Sequence, residues 1–155
     1  MSLSDPFFLD KSDTDSWKAL NAFSLKVKAA GEAAGLDYRL IELLNVRISQ
    51  INGCAFCLDM HVRQALEAGE SAQRIAVLPN WRETTLFNDV ESAALAVAEA
   101  TTTLPDSESR IAELASSRLV LSDAQFSAVQ WAAIAMNAFN RVSILSQHPV
   151  RVRKY

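Results

Sequence analysis

LIELLNVRISQINGCAFCLDMHVRQALEAG, from Leu40 to Gly69, is the stretch whose reading decides the fold. Leu40, Ile41, Leu44, Ile48 and Ile51 recur at helical spacing and form one apolar stripe, and Asp37 just upstream is the candidate N-cap. Asn52-Gly53 breaks that pattern. A further helix is expected from about Cys54 to Ala68, stopped by Gly69. The only two cysteines of the chain, Cys54 and Cys57, fall at the start of this second helix, and His61 follows one turn later.

Working outward, the same periodicity continues with almost nothing that reads as strand. Trp17, Leu20, Phe23, Val27, Ala30 and Ala34 predict a helix with Asp15 as N-cap and Gly35 as terminator. Ser71 to Leu78 predicts a short helix ended by Pro79, and Asn80 to Phe87 carries no clear signal. Asn88 with Glu91 has the spacing of a capping box before the Ala-rich run Ser92 to Thr101. After Pro105 comes a polar helix, about Ser107 to Leu119. Ser122 with Gln125 is a second capping box, opening a long helix to about Ser146, with His148-Pro149 beyond it. Phe126, Val129, Ala133, Met136 and Phe139 line one face of that helix, and Trp131, Ile134, Ala138, Val142 and Leu145 another. A helix apolar on two sides is either central to the fold or covered by a partner chain. The expectation is one all-α domain over residues 1–155, with no internal linker.

Bulk properties narrow the partners. At 155 residues one domain is the default, and roughly 70% of the unfolded surface can be buried without staples. A net charge of −3 offers no broad basic field for nucleic acid. The basic end, Arg151-Val152-Arg153-Lys154-Tyr155, reads as a solvated terminus. No apolar run approaches the ~20 residues that span a bilayer. Met1 to Pro6 lacks the positive flank and apolar stretch of a secretory leader, so a cytoplasmic location is expected. There, an isolated C-x-x-C pair points to catalysis, redox chemistry or metal binding rather than to a structural disulfide.

The chemistry of the pair follows from its placement. The thiolate is the nucleophile, and a free cysteine has a pKa of about 8.5. Asn52 stands where a helix N-cap would, which puts Cys54 near the free N–H groups and positive dipole end of a first turn. His61 lies four residues after Cys57, on the same helix face, within reach of its proton. A thiolate attacking a peroxide becomes a sulfenic acid, which condenses with a nearby thiol to a disulfide. An external dithiol reopens that bond by exchange. Two other readings compete. Cysteines also serve as small buried apolar groups. Zinc needs four ligands, and the only other histidine is His148, far away in the sequence.

Glu42-x11-Cys54-x-x-Cys57-x-x-x-His61 resembles the active-site motif of the AhpD-like alkylhydroperoxidases, within the carboxymuconolactone decarboxylase superfamily. The flanks Arg47 to Cys54 and Cys57 to His61 are similar too, as are Asn80-Trp81-Arg82-Glu83 and Asn137-Ala138-Phe139-Asn140-Arg141. The likeness covers about residues 17 to 147. It implies an all-α fold with the site in a helical hairpin, assembled as trimers or hexamers. It implies that Cys57 is oxidised to the sulfenic acid, that Cys54 donates a proton and resolves it, and that His61 and Glu42 form a proton relay. No cofactor is implied; the substrate is a hydroperoxide and an external dithiol is the reductant. Read by itself, Glu42 would be a solvated helix carboxylate. One position departs: Phe56 stands where the best-characterised members carry a second histidine. A dipole worth ~0.3–1 kcal/mol favours Cys54 as the more acidic thiol, whereas a proton acceptor at close range favours Cys57, and the second effect is the larger. Decarboxylation of a muconolactone and a non-enzymatic redox-sensing role are the alternatives. Arg47 and Arg63 read as solvated helix faces in preference to groups that tune the site's charge or meet an acidic substrate.

Overall fold

The computed structural model describes residues 5–153. Met1 to Ser4, read above for a leader, and Lys154 and Tyr155 of the basic end lie outside them. Every regular element among the described residues is helical: α1 (Leu9–Ser12), α2 (Thr14–Ala33), α3 (Tyr38–Asn52), α4 (Ala55–Glu67), α5 (Ala72–Val77), a 3₁₀ segment (Leu78–Glu83), α6 (Asp89–Thr103), α7 (Ser107–Arg118) and α8 (Asp123–Leu145).

Local signals place most of these ends. The Asp37 carboxylate accepts from the Arg39 N–H at the start of α3. Both capping boxes form: Asn88 with Glu91 opens α6, and Ser122 with Gln125 opens α8. Gly53 closes α3 at φ 69°, a left-handed conformation in which a Cβ would be strained. That single residue lets the chain reverse from α3 into α4.

Four details differ from the sequence expectation. Asp13, not Asp15, caps α2; its carboxylate accepts from the Ser16 N–H and hydroxyl. Cys54 itself, not Asn52, is the N-cap residue of α4, and its sulfur accepts from the Cys57 N–H at 3.3 Å. Asn52 is the last residue of α3. Pro79 does not stop the chain's helical course but opens the 3₁₀ segment, where its missing N–H costs nothing.

α3 is the central element, packed against α4, α6 and α8. Leu43, Leu44, Val46 and Ile48 of α3 meet Leu95 and Val97 of α6 and Val129 of α8 in a core closed to solvent. The alanines expected to allow close packing do so: Ala94 and Ala98 are fully buried. On α8 the face bearing Val129, Ala133 and Met136 is buried, whereas Trp131, Ile134 and Leu145 of the second face are exposed. α2 crosses α8 with Trp17 edge-on to Phe139 and Phe23 edge-on to Trp131. Its apolar stripe is only half-buried, and Ala30 is exposed, because a cavity rather than a packed core lies beneath it.

Candidate active site

The turn between α3 and α4 brings the two cysteines together. Cys54 and Cys57 are paired as a disulfide with Cα atoms 5.4 Å apart, and both are almost wholly buried. One turn along α4, the buried His61 meets Glu42 of α3, with Nδ1 and the carboxylate oxygen Oε2 2.7 Å apart. Glu42 is therefore not the solvated carboxylate that helix statistics suggest; it is 3% exposed. The bond commits Nδ1–H to the carboxylate and leaves Nε2 with its lone pair for a second partner. Asn45 donates to the other oxygen of Glu42 at 3.4 Å.

All four motif residues thus gather at the junction of α3 and α4. Cys57, His61 and Glu42 line one cavity of about 1170 Å³ bounded mainly by α2, α3, α4 and α8. Cys54 lies behind, outside the lining. Of the two cysteines, Cys57 is the one that faces the cavity.

Tyr38, one turn before Glu42 on α3, also lines the cavity. Its phenol is held above the ordinary tyrosine value, first by burial and then by the charge and hydrogen bonding of Glu42. Neither Tyr38 nor Asn45 was singled out from the sequence, although their i−4 and i+3 spacing to Glu42 on a helix is the signal that could have found them. The raised value means that the neutral phenol, the hydrogen-bonding form, is favoured by folding. That contribution is complete below the unfolded value of about 10 and is lost as pH rises through the folded one. A spectrophotometric titration should show one tyrosine ionising late, and Tyr38→Phe should remove that late component.

Phe56, between the cysteines, packs against the ring of His148 with centroids 5.2 Å apart. His148 also stacks on Phe8 and is held through both ring nitrogens, Nδ1 by Ser143 Oγ and Nε2 by Asp10 Oδ1, each at 3.1 Å. With both nitrogens engaged, His148 clasps the two ends of the chain over the site. The C-terminal end takes part as well: Arg153 pairs with Asp59 of α4, while Arg151, Val152 and Arg153 are exposed, as the composition suggested. Among the described residues no group of three or more His, Cys, Asp or Glu side chains is placed to hold a metal.

A polar network fixes the hairpin from behind. The Asn52 side-chain amide donates to Asn137 Oδ1 and to Asn140 Oδ1, both at 2.9 Å. Asn140, closed to solvent, donates in turn to Ser49 Oγ at 3.2 Å, and Asn137 donates to Thr102 Oγ1 at 3.0 Å. These bonds tie the end of α3, immediately before Cys54, to α8 and α6. Asn140→Leu would leave an Asn52 donor and Ser49 without partners in the interior. The expected cost is about 2–4 kcal/mol, read as a loss of urea stability with unchanged slope.

Arg47 is likewise no solvated helix residue. It pairs with Glu99 at 2.7 Å, and Glu99 also accepts from the Trp81 indole at 3.0 Å and pairs with Arg82 at 3.2 Å. This cluster pins the 3₁₀ segment to α3 and α6 and does not reach the cavity. Arg63 is exposed as expected and lies at the cavity's edge.

Comparison with known proteins agrees with this architecture. The protein of unknown function ATU0492 from Agrobacterium tumefaciens, described as a candidate antioxidant defence protein AhpD, superposes with a TM-score of 0.86 at 29% identity. The match covers 97% of this chain and 100% of that one. The uncharacterised protein YdfG of Bacillus subtilis is 47% identical over 64 residues, 41% of this chain and 44% of YdfG. The alkyl hydroperoxide reductase AhpD of Bradyrhizobium sp. is 35% identical over 71 residues, 46% of this chain and 36% of that enzyme. The chain thus spans less than half the length of these two relatives. A model of the carboxymuconolactone decarboxylase family matches residues 15–100, more than half of the 155. With that match, an all-helical AhpD-like fold and the C-x-x-C pair at its centre, the chain belongs to the carboxymuconolactone decarboxylase family.

Proposed function

We propose that this chain is a thiol-dependent alkyl hydroperoxide reductase that works through the Cys54–Cys57 pair with Glu42 and His61 as its proton relay. The observation that carries the reading is the convergence of Cys57, His61 and Glu42 on one cavity, with the Glu42–His61 contact at 2.7 Å and Cys54 within disulfide reach of Cys57. His61 takes the Cys57 proton through Nε2, and Glu42 stabilises the imidazolium that forms. The Cys57 thiolate attacks the terminal peroxide oxygen, the O–O bond breaks, and two electrons pass from sulfur to the peroxide. The leaving alkoxide receives the proton held on His61 and departs as an alcohol. Cys54 then displaces water from the Cys57 sulfenic acid, forming the disulfide. Two thiols and one hydroperoxide thereby give one disulfide, one alcohol and one water.

Phe56 cannot move protons, so the relay runs through His61 alone. The electrons reside on sulfur and the cycle needs no cofactor, only an external dithiol that returns the pair to the reduced form. Muconolactone decarboxylation makes no use of two thiols, and nothing in the site favours it. The exposed Trp131, Ile134 and Leu145 on α8 support burial of that face against further copies in a trimer or hexamer.

The test is steady-state turnover of an alkyl hydroperoxide with dithiothreitol as reductant. Consumption proportional to protein concentration supports the proposal. Consumption no faster than the dithiol alone overturns it.

A further inference from the structure

Resting on the peroxidase reading, we propose that the cavity over Cys57 is built for a hydroperoxide carried on a long apolar chain that ends in a carboxylate. Size comes first. At about 1170 Å³ the cavity slightly exceeds the roughly 1,000 Å³ to which small-molecule sites usually run, and hydrogen peroxide would fill only a corner of it. Away from the cysteine its walls are mainly apolar, with Trp17, Val27, Ile41, Ala132, Met136 and Phe139 alongside the polar Asn21, Ser24 and Asn45.

Charge decides the rest. Four carboxylates line the cavity, and each already has a cationic or imidazole partner. Glu42 has His61, Asp10 has His148, Glu32 has Lys28, and Asp59 has Arg153. Three lining cations, Lys11, Arg63 and Arg151, have no carboxylate partner among the described residues. Lys11 lies over the Phe8 ring at 4.3 Å, and Arg63 and Arg151 are exposed. With both histidines neutral, the five lining cations (Lys11, Lys28, Arg63, Arg151 and Arg153) against the four carboxylates leave the lining at a formal charge of +1, in a chain of net charge −3. An apolar interior with such a rim fits a molecule that is greasy along its length and anionic at one end.

The experiment uses the full chain in its reduced form and compares oxidation rates for linoleic acid hydroperoxide, its methyl ester and hydrogen peroxide, below micellar concentrations. The acid should react at least tenfold faster than the ester, and both faster than hydrogen peroxide. The double variant Arg63→Gln/Arg151→Gln should bring the acid-to-ester ratio close to one. Ala132→Trp, which fills the apolar cavity, should lower the ratio of acid rate to hydrogen peroxide rate. Oleate, which carries no peroxide, should bind the oxidised chain in calorimetry, and the double variant should bind it more weakly.

Equal rates for acid and ester, or a ratio untouched by the double variant, overturn the assignment. So does a chain that binds no oleate. Failure of every peroxide to oxidise the thiols refutes the peroxidase reading. Oleate binding that the arginine variants weaken would then still support an anionic-chain site.

Discussion

Replacing Cys57 with serine is expected to bring hydroperoxide turnover down to the background of the dithiol alone, the largest effect of any single change in this protein. The hydroxyl of serine is too weak an acid and too poor a nucleophile for the O–O bond, and no other thiol faces the cavity. The reciprocal change has a different outcome. Cys54→Ser keeps the attacking sulfur but removes its partner, so the first oxidation proceeds and the sulfenic acid persists until an external thiol reduces it directly. A chain in which Cys54 were the attacking thiol would show the two results exchanged. The position of Cys54 outside the cavity lining argues against that order, although its place as N-cap residue of α4 gives it the more favourable helix dipole.

Glu42→Gln is the second large effect, and it separates two services of one carboxylate. The glutamine oxygen can still accept from His61 Nδ1–H, so the tautomer and ring orientation survive. The negative charge that stabilises the imidazolium does not. An anion in contact with the ring favours its charged form, so oxidation of Cys57 near neutral pH should fall by roughly 10–10³-fold without it. His61→Ala removes the proton acceptor altogether, at a cost of about 10²–10⁴-fold. A Glu42→Gln rate equal to that of the unaltered protein would show that the carboxylate only positions the ring.

What the sequence revealed and what it hid divide along local and long-range lines. Asp37, Gly53, Asn88–Glu91 and Ser122–Gln125 act within a few residues of themselves, and each does in space what its spacing predicts. The motif residues are legible for the same reason, since Cys54, Cys57 and His61 share one helical run. Glu42 is legible only through the family motif, because its partner is nineteen positions away. α1 carries no signal of its own: Leu9–Ser12 is too short, and distant contacts hold it, from the Leu9 N–H to Ser146 Oγ and from Asp10 to His148. Arg47 looks like any helix arginine until Glu99, fifty-two residues on, is folded against it. The competition between Asp13 and Asp15 for the α2 cap is decided by which carboxylate the chain can turn back onto Ser16.

The site also explains why the hairpin must be held rigidly. Cys54 caps α4 and Cys57 is in its first turn, so a shift of the α3–α4 turn would move both sulfurs relative to His61. Gly53 sets the turn, and Asn52 ties it to α8 through Asn137 and Asn140. Loosening that anchor should weaken the redox cycle along with stability.

The central claim is that Cys57 is the sulfur a hydroperoxide oxidises. The most direct measurement is the intact mass of reduced Cys54→Ser protein after one equivalent of cumene hydroperoxide, with and without dimedone as a sulfenic acid trap. The account predicts one added oxygen, converted to one dimedone adduct on Cys57, and no adduct in Cys57→Ser treated alike. An unmodified Cys57 thiol, or an adduct that forms on Cys54 in the Cys57→Ser protein, would contradict it.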